Sequence, residues 1–183
     1  MTPTYQAQFE QQLVNQLIAI VQRDQAAALA IVNATRPADR LLTPFAGFYK
    51  EAAAVQNWPA IVLLAQRTAF DPYADIGLRS QIVQFYCVIG ITGTDPEWLA
   101  ADAMDTMHAV DTLLSSIPLS DFYARLPITH PTVPSGTTAG LNPAVSKVQD
   151  LRITSHDLGA LTRRGGMLAR AAQMEFVIEV EEQ

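Results

Sequence analysis

The stretch Gln81–Ile117, QIVQFYCVIGITGTDPEWLAADAMDTMHAVDTLLSSI, decides the fold of this chain. In its first part apolar side chains recur at every second position, which predicts a β-strand over residues 81–92. One face of this strand is wholly apolar, and we expect it to point into the core. It carries Val83, Phe85, Cys87, Ile89 and Ile91.

A helix-start signal follows this strand directly. Either Thr94 and Glu97 form a capping box, or Asp95 caps the helix with Pro96 at the first helical position. Apolar residues at helical spacing then predict an amphipathic helix that ends before Pro118. Its apolar stripe consists of Leu99, Ala103, Met107, Val110, Leu114 and Ile117.

The rest of the chain predicts one long helix and three further strands. Residues 7–33 follow helical spacing without Pro or Gly, so we expect a helix there. Strands are predicted over residues 60–68, 147–155 and 168–181. Both faces of 60–68 are apolar, which is typical of a strand covered by helices on one side and by a neighbouring subunit on the other. Segment 41–55 fits a short strand, a short helix, or a strand followed by a turn.

A segment rich in Pro and Gly occupies residues 118–146. Connections longer than about 12–15 residues are uncommon in compact domains, so we expect an extended loop or arm here. The 183 residues predict a single domain, 1–183. Its class is α+β: a mixed, mainly antiparallel β-sheet flanked by an N-terminal helix and a central helix, with a long Pro/Gly-rich loop.

Composition narrows the classes of function. The net charge is −6, and clustered positive charge is what binds nucleic-acid phosphates, so we do not expect sequence-specific DNA binding. The N-terminus lacks the basic and apolar regions of a signal peptide. The longest apolar run, residues 59–65, is far shorter than the roughly 20 residues that cross a bilayer, so no membrane partner is expected. The single Cys87 allows no internal disulfide and suits a reducing compartment.

No motif in the sequence predicts catalysis. Asp105, His108 and Asp111 share one side of the predicted helix, but three ligands on one exposed helix face rarely complete a metal shell. We interpret them as a solvated polar face. Cys87 lies on the apolar strand face and is predicted to be buried. Since no phosphate loop, dinucleotide fingerprint or nucleophile elbow occurs, we expect no enzymatic activity, no metal and no cofactor.

Aromatic and acidic residues supply the candidate interface instead. Trp98 lies away from the apolar stripe, on the helix side that carries Asp102 and Asp105. Tryptophan is enriched at interface hot spots, so Trp98 either anchors a partner or folds back onto the end of its own sheet. The candidate interface residues are Trp98, Asp102, Asp105, Trp58, Phe122 and Tyr123.

The order of these elements resembles the tail-terminator, or tail-completion, proteins of long-tailed bacteriophages. Four stretches carry the resemblance: FEQQLVNQLIAIV (9–21), NWPAIVLL (57–64), the strand, cap and helix of 81–114, and RAAQMEFVIEVEE (170–182). The Asp-Pro-Glu helix start after an alternating strand, with a late acidic strand, is its most suggestive part.

This resemblance implies a structural virion protein of the tail or neck, assembled in the host cytoplasm. Its copies would form a homo-oligomer, a hexameric ring that caps the tail tube, contacts the tail tube protein and head–tail connector, and passes DNA without binding it. The candidate channel-facing residues are Glu175, Glu179 and Glu181, which otherwise form a solvated strand face. The alternatives are another neck, connector or tube-like protein, a small-molecule-binding or enzymatic α+β domain, and a regulatory binding module that dimerises through its sheet edge.

Overall fold

The computed structural model describes residues 5–70, 79–116, 128–129, 145–164 and 166–182. Two α-helices and six strands lie in this part of the chain. They are α1 (Tyr5–Asn33), β1 (Gly47–Tyr49), β2 (Ala60–Phe70), β3 (Arg79–Gly93), α2 (Pro96–Ser115), β4 (Ile128–Thr129), β5 (Val145–Arg164) and β6 (Met167–Glu182). A short 3-10 helix, Ala52–Ala54, follows β1, so segment 41–55 holds a short strand and then a short helix.

The six strands form one sheet in the order β1-β2-β3-β6-β5-β4. β1 pairs with β2 in parallel, and all other pairs are antiparallel. The predicted α+β class, with its mixed and mainly antiparallel sheet and two flanking helices, is therefore confirmed. β3 and β6 lie at the centre, which explains why their apolar alternation is the clearest in the sequence.

β5 is much longer than the strand predicted over residues 147–155. It pairs with β6 from Ser146 to Arg164, and the pairing shifts register at three places. Each shift is a β-bulge, which moves the following side chains to the opposite phase and hides the period of two from sequence analysis. The shifts lie between Val148 and Asp150, between Ile153 and Ser155, and between Leu158 and Leu161.

Most of the predicted arm, 118–146, lies outside the described residues. Within it, Ile128–Thr129 forms β4, which pairs with Val145 and Ser146 at the start of β5. The arm therefore contributes at least this short edge strand to the sheet.

The core lies between one face of the sheet and the two helices, which contact each other. Phe85 of β3 and Phe176 of β6 stack at its centre, with ring centroids 5.2 Å apart. Cys87 is fully buried beside them, as predicted, and this desolvation raises the pKa of its thiol to about 12. Burial of large apolar side chains at roughly 25 cal/mol per Å² is the main stabilising contribution here.

The start of α2 settles the choice between the two predicted caps. Asp95 is the N-cap, and its side chain accepts hydrogen bonds from the backbone N–H groups of Glu97 and Trp98 at 3.1 and 3.4 Å. Pro96 occupies the first turn, where its missing N–H costs nothing. From this cap, α2 runs across the sheet and contacts β3, β6 and β5.

The strand that is apolar on both faces is buried on both faces within one chain. Ala60, Ile61, Val62 and Leu63 are all buried. Away from the helices, the ring of Trp58 lies against Gly90 so closely that a Cβ there would meet it at 2.1 Å. The expected cover by a neighbouring subunit is therefore not needed for these four residues, because the chain itself buries them and Trp58 lies over part of the face away from the helices. None of the described helices has the length and apolarity needed to cross a membrane.

Candidate interface surfaces

Arg36 joins the C-terminal end of α1 to α2. Its guanidinium donates to the carboxylates of Asp102 and Asp105, and its Nε donates to the carbonyl oxygen of Arg40 at 2.7 Å. The Arg36 side chain is only 5% exposed, whereas those of Asp102 and Asp105 are 25% and 42% exposed. Paired fork geometry of this kind suits arginine and not lysine. The two acidic residues predicted for an interface are thus neutralised in part from within the chain.

Trp98 is held by two arginines in the same region. The guanidinium of Arg40 lies 4.9 Å from the centroid of the Trp98 ring, and that of Arg36 lies 5.8 Å from it. Both distances are within the range of cation–π attraction. Arg40 also approaches Asp95 at 4.0 Å, so the N-cap belongs to the same cluster. Trp98 is half-buried, and both arginines belong to the connection between α1 and β1.

Two side chains of α1 fix that connection in place. Asn33 both donates to the carbonyl oxygen of Leu42, at 3.0 Å, and accepts from its N–H, at 2.8 Å. Gln25 accepts from the N–H of Phe45 at 2.8 Å. Because the connection is anchored at three points, Arg36 and Arg40 are presented to α2 by a defined backbone.

Three of the six predicted interface residues therefore form one cluster. Trp98, Asp102 and Asp105 meet at the start of α2, while Trp58 lies on the opposite face of the sheet, against Gly90. The two other residues, Phe122 and Tyr123, lie outside the described residues. The structure does not bring Trp58 together with the Trp98 cluster, because the sheet separates them.

Glu175 and Glu179 of β6 lie on the open face of the sheet, which the helices do not cover. Glu175 stands opposite Tyr86 of β3, and Glu179 stands opposite Ile82. A hydrogen bond to the Glu175 carboxylate raises the pKa of the Tyr86 hydroxyl above its usual value of 10.0. Gln84 donates to the same carboxylate at 3.5 Å. Glu175 and Glu179 are both half-buried, and Glu181 is placed only by its backbone register opposite Ser80.

The helix side with Asp105, His108 and Asp111 holds contacts within the chain. Asp105 pairs with Arg36, and Asp111 lies 3.2 Å from Nε2 of His156 on β5. Ser115 donates to the other oxygen of Asp111 at 2.9 Å. The serine contacts the aspartate and not the histidine, so this group lacks the geometry of a nucleophilic triad. Among the described residues, no group of three or more His, Cys, Asp or Glu side chains could hold a metal ion.

Sequence analysis missed the basic half of the Trp98 cluster. The helical spacing that predicts α1 ends at residue 33 and singles out neither Arg36 nor Arg40. Its partners on α2 are 66 and 69 residues away, and no local spacing relates them. The sequence offers one signal for this cluster: two of the 12 basic residues, Arg36 and Arg40, lie close together directly after α1.

Comparison with known proteins adds no family to this description: no protein-family model matches the sequence, and no curated protein matches it.

Proposed function

We propose that this protein is a structural component of a tailed-phage virion, a tail terminator whose copies form a ring at the end of the tail tube. The ring would join the tube to the head–tail connector and let DNA pass. One observation carries the proposal. The described chain has the order of elements that the resemblance implies: a long first helix, a strand pair, a capped helix across the sheet and an acidic closing strand at its centre.

The asymmetry of the sheet supports this proposal. Helices cover one face, and the other carries half-buried Glu175 and Glu179 between apolar neighbours such as Val88 and Val177. An acidic surface repels phosphates, which suits a channel that DNA must traverse without sticking. Half-buried apolar residues beside it are typical of surfaces that pack against other protein.

The first test is the assembly state of the purified protein. We expect mass photometry and negative-stain electron microscopy to find closed rings with a central channel. A stable monomer whose melting temperature rises with small metabolites would instead favour a ligand-binding α+β domain.

The second test separates a tail terminator from other ring-forming neck proteins. The protein is mixed with a candidate tail tube protein from the same genome while tubes polymerise. A terminator binds one end and stops growth, so tube lengths should shorten as its concentration rises. Rings that leave the length distribution unchanged would point to another neck or connector component.

A further inference from the structure

Two arginines lie close together at the tip of the β5–β6 hairpin, on the same face of the sheet as the helices. In the register, Arg163 stands opposite Leu168, and Arg170 stands opposite Leu161. Arg170 alternates along β6 with the buried Ala172, which places all four of these side chains on the helix face. The two arginines are therefore diagonal neighbours on adjacent strands, roughly 7–8 Å apart and within reach of one ligand.

Neither arginine has a hydrogen-bond or ion-pair partner in the part of the chain that the structure describes. Arg163 is exposed, whereas Arg170 is half-buried and its Nε atom is buried without an acceptor. The hairpin itself supplies no carboxylate, because residues 158–174 contain no acidic residue. Asp95, which follows β3 at this end of the sheet, approaches Arg40 instead, at 4.0 Å.

This arrangement is unfavourable for the chain on its own. Like charges on neighbouring strands repel each other, and a buried donor of a charged group loses its hydrogen bonds to water without gaining others. Folded proteins leave few polar groups in this condition, and each one calls for an explanation. An oxyanion between the two guanidinium groups would remove both costs, since arginine donates paired hydrogen bonds to carboxylate and phosphate oxygens.

The neighbours of the two arginines favour a carboxylate on a protein over a nucleic-acid phosphate. Leu161, opposite Arg170, is 39% exposed, and Leu168, opposite Arg163, is half-buried. An accessible leucine beside a guanidinium suits a ligand that carries an apolar group next to its charge, as an acidic peptide segment does. Binding to DNA depends instead on many cations along one surface, and this chain carries a net charge of −6.

We propose that Arg163 and Arg170 bind a carboxylate of a partner protein, in a segment that places an apolar side chain beside its acidic residue. The carboxylate accepts hydrogen bonds from Nε of Arg170 and from the guanidinium of Arg163, and the apolar side chain packs on Leu161. This site goes beyond the proposed ring and does not depend on it, because one hairpin of one chain supplies every group. Within the proposed virion, a protein that adjoins the ring would supply the carboxylate.

Peptide binding tests the site directly. The probe is the synthetic peptide acetyl-SLEGLES-amide with a neutral dye, and its reference is the same peptide with glutamine in place of both glutamates. In fluorescence anisotropy, the full-length protein should bind the acidic peptide at least about tenfold more tightly than the glutamine peptide. Arg163→Gln and Arg170→Gln should each remove most of this difference. Arg152→Gln is the matched control and should keep it, because Arg152 is 65% exposed on the same strand but away from the tip.

Thermal unfolding separates a binding arginine from a structural one. Arg170→Met keeps an unbranched apolar stem but removes the donor without an acceptor and the repulsion by Arg163. The free variant should therefore melt no lower than wild type, although it no longer binds the acidic peptide. A variant that melts lower and still binds the peptide would show that Arg170 has only a structural role, and the proposal would be wrong. Far-UV circular dichroism checks that each variant is folded.

Other ligands give different outcomes in the same assays. If inorganic phosphate raises the melting temperature while the acidic peptide does not bind, the site takes a free oxyanion and docking of a protein is wrong. If labelled duplex DNA binds wild type and is lost on changing both arginines, the ligand is a nucleic acid and the proposal is equally wrong. Peptide binding by a protein that stays monomeric at high concentration would support this site and overturn the proposed ring.

Discussion

Replacing Arg36 by alanine should be among the most damaging single changes outside the apolar core. The change removes a guanidinium that is 95% buried and leaves Asp102 and Asp105 without their shared cation. Removing one partner of a buried pair costs about 3–5 kcal/mol, but the two aspartates are 25% and 42% exposed, so water compensates in part. The hydrogen bond to the Arg40 carbonyl adds about 1 kcal/mol. We therefore expect a loss of about 3 kcal/mol, or about 6–12 °C in Tm.

The assay is urea unfolding followed by tryptophan fluorescence, because Trp98 reports directly on this cluster. Measurements at two protein concentrations separate the stability of the chain from that of any assembly. Arg36→Lys should recover only part of the loss, since lysine cannot contact both carboxylates through a planar fork. Adding Asp102→Asn and Asp105→Asn to Arg36→Met should restore stability, because no uncompensated charge then remains.

Arg23→Ala is the matched control for this prediction. Arg23 also forms a close ion pair, with Asp24 at 2.7 Å, but on the exposed side of α1. Its hydrogen bond to Asp24 raises the pKa of Arg23, yet a solvated pair contributes little, so the unfolding midpoint should not move. If Arg36→Ala loses no more stability than Arg23→Ala, Arg36 does not stabilise the contact between α1 and α2 as described.

Three further predictions concern the cap of α2, the open face and the core. Asp95→Ala should cost about 1 kcal/mol in urea unfolding because two N–H groups lose their acceptor, whereas Thr94→Ala should cost little; equal losses would argue against the observed cap. Gly90→Ala should destabilise by about 1–3 kcal/mol because its Cβ meets the Trp58 ring, and adding Trp58→Leu should relieve part of that cost; a neutral Gly90→Ala would contradict the packing. Cys87 should react with a thiol reagent only after unfolding. Its contribution to the free energy of unfolding is full below pH 9 and should be lost as pH rises toward 12, because only the unfolded thiol ionises in that window. Cys87→Ala should remove this part of the pH dependence of stability, and an unchanged pH dependence would contradict the burial of the thiol.

Much of the fold was predictable because its central elements are locally consistent. The strand predicted over 81–92 is β3, Arg79–Gly93, and the apolar stripe of α2 is buried from Leu99 to Leu114. In both elements one face packs against the core, so the spacing of apolar residues in the sequence matches the pattern of buried residues. The alternation of β6 was equally informative for the same reason.

The candidate site was less predictable because its contacts join distant segments. The tethering of Trp98 depends on Arg36 and Arg40, which follow a different helix. The length of β5 was hidden because three bulges change the phase of its side chains. The cover over β2 depends on how Trp58 lies on Gly90, which only the three-dimensional arrangement supplies.

The central pairing of β3 with β6 has a consequence for the synthesis of this chain. Gln84 and Glu175 contact each other across these strands, although they are 91 residues apart. At about 5–20 residues per second, a ribosome needs roughly 5–20 s to make β6 after β3 has emerged. During that interval α2 can cover one face of β3, but the hydrogen-bonding edge that β6 will occupy has no partner strand. Nascent chains that stop before β6 should therefore aggregate or bind chaperones, and the timing of translation itself becomes part of how this sheet reaches its native pairing.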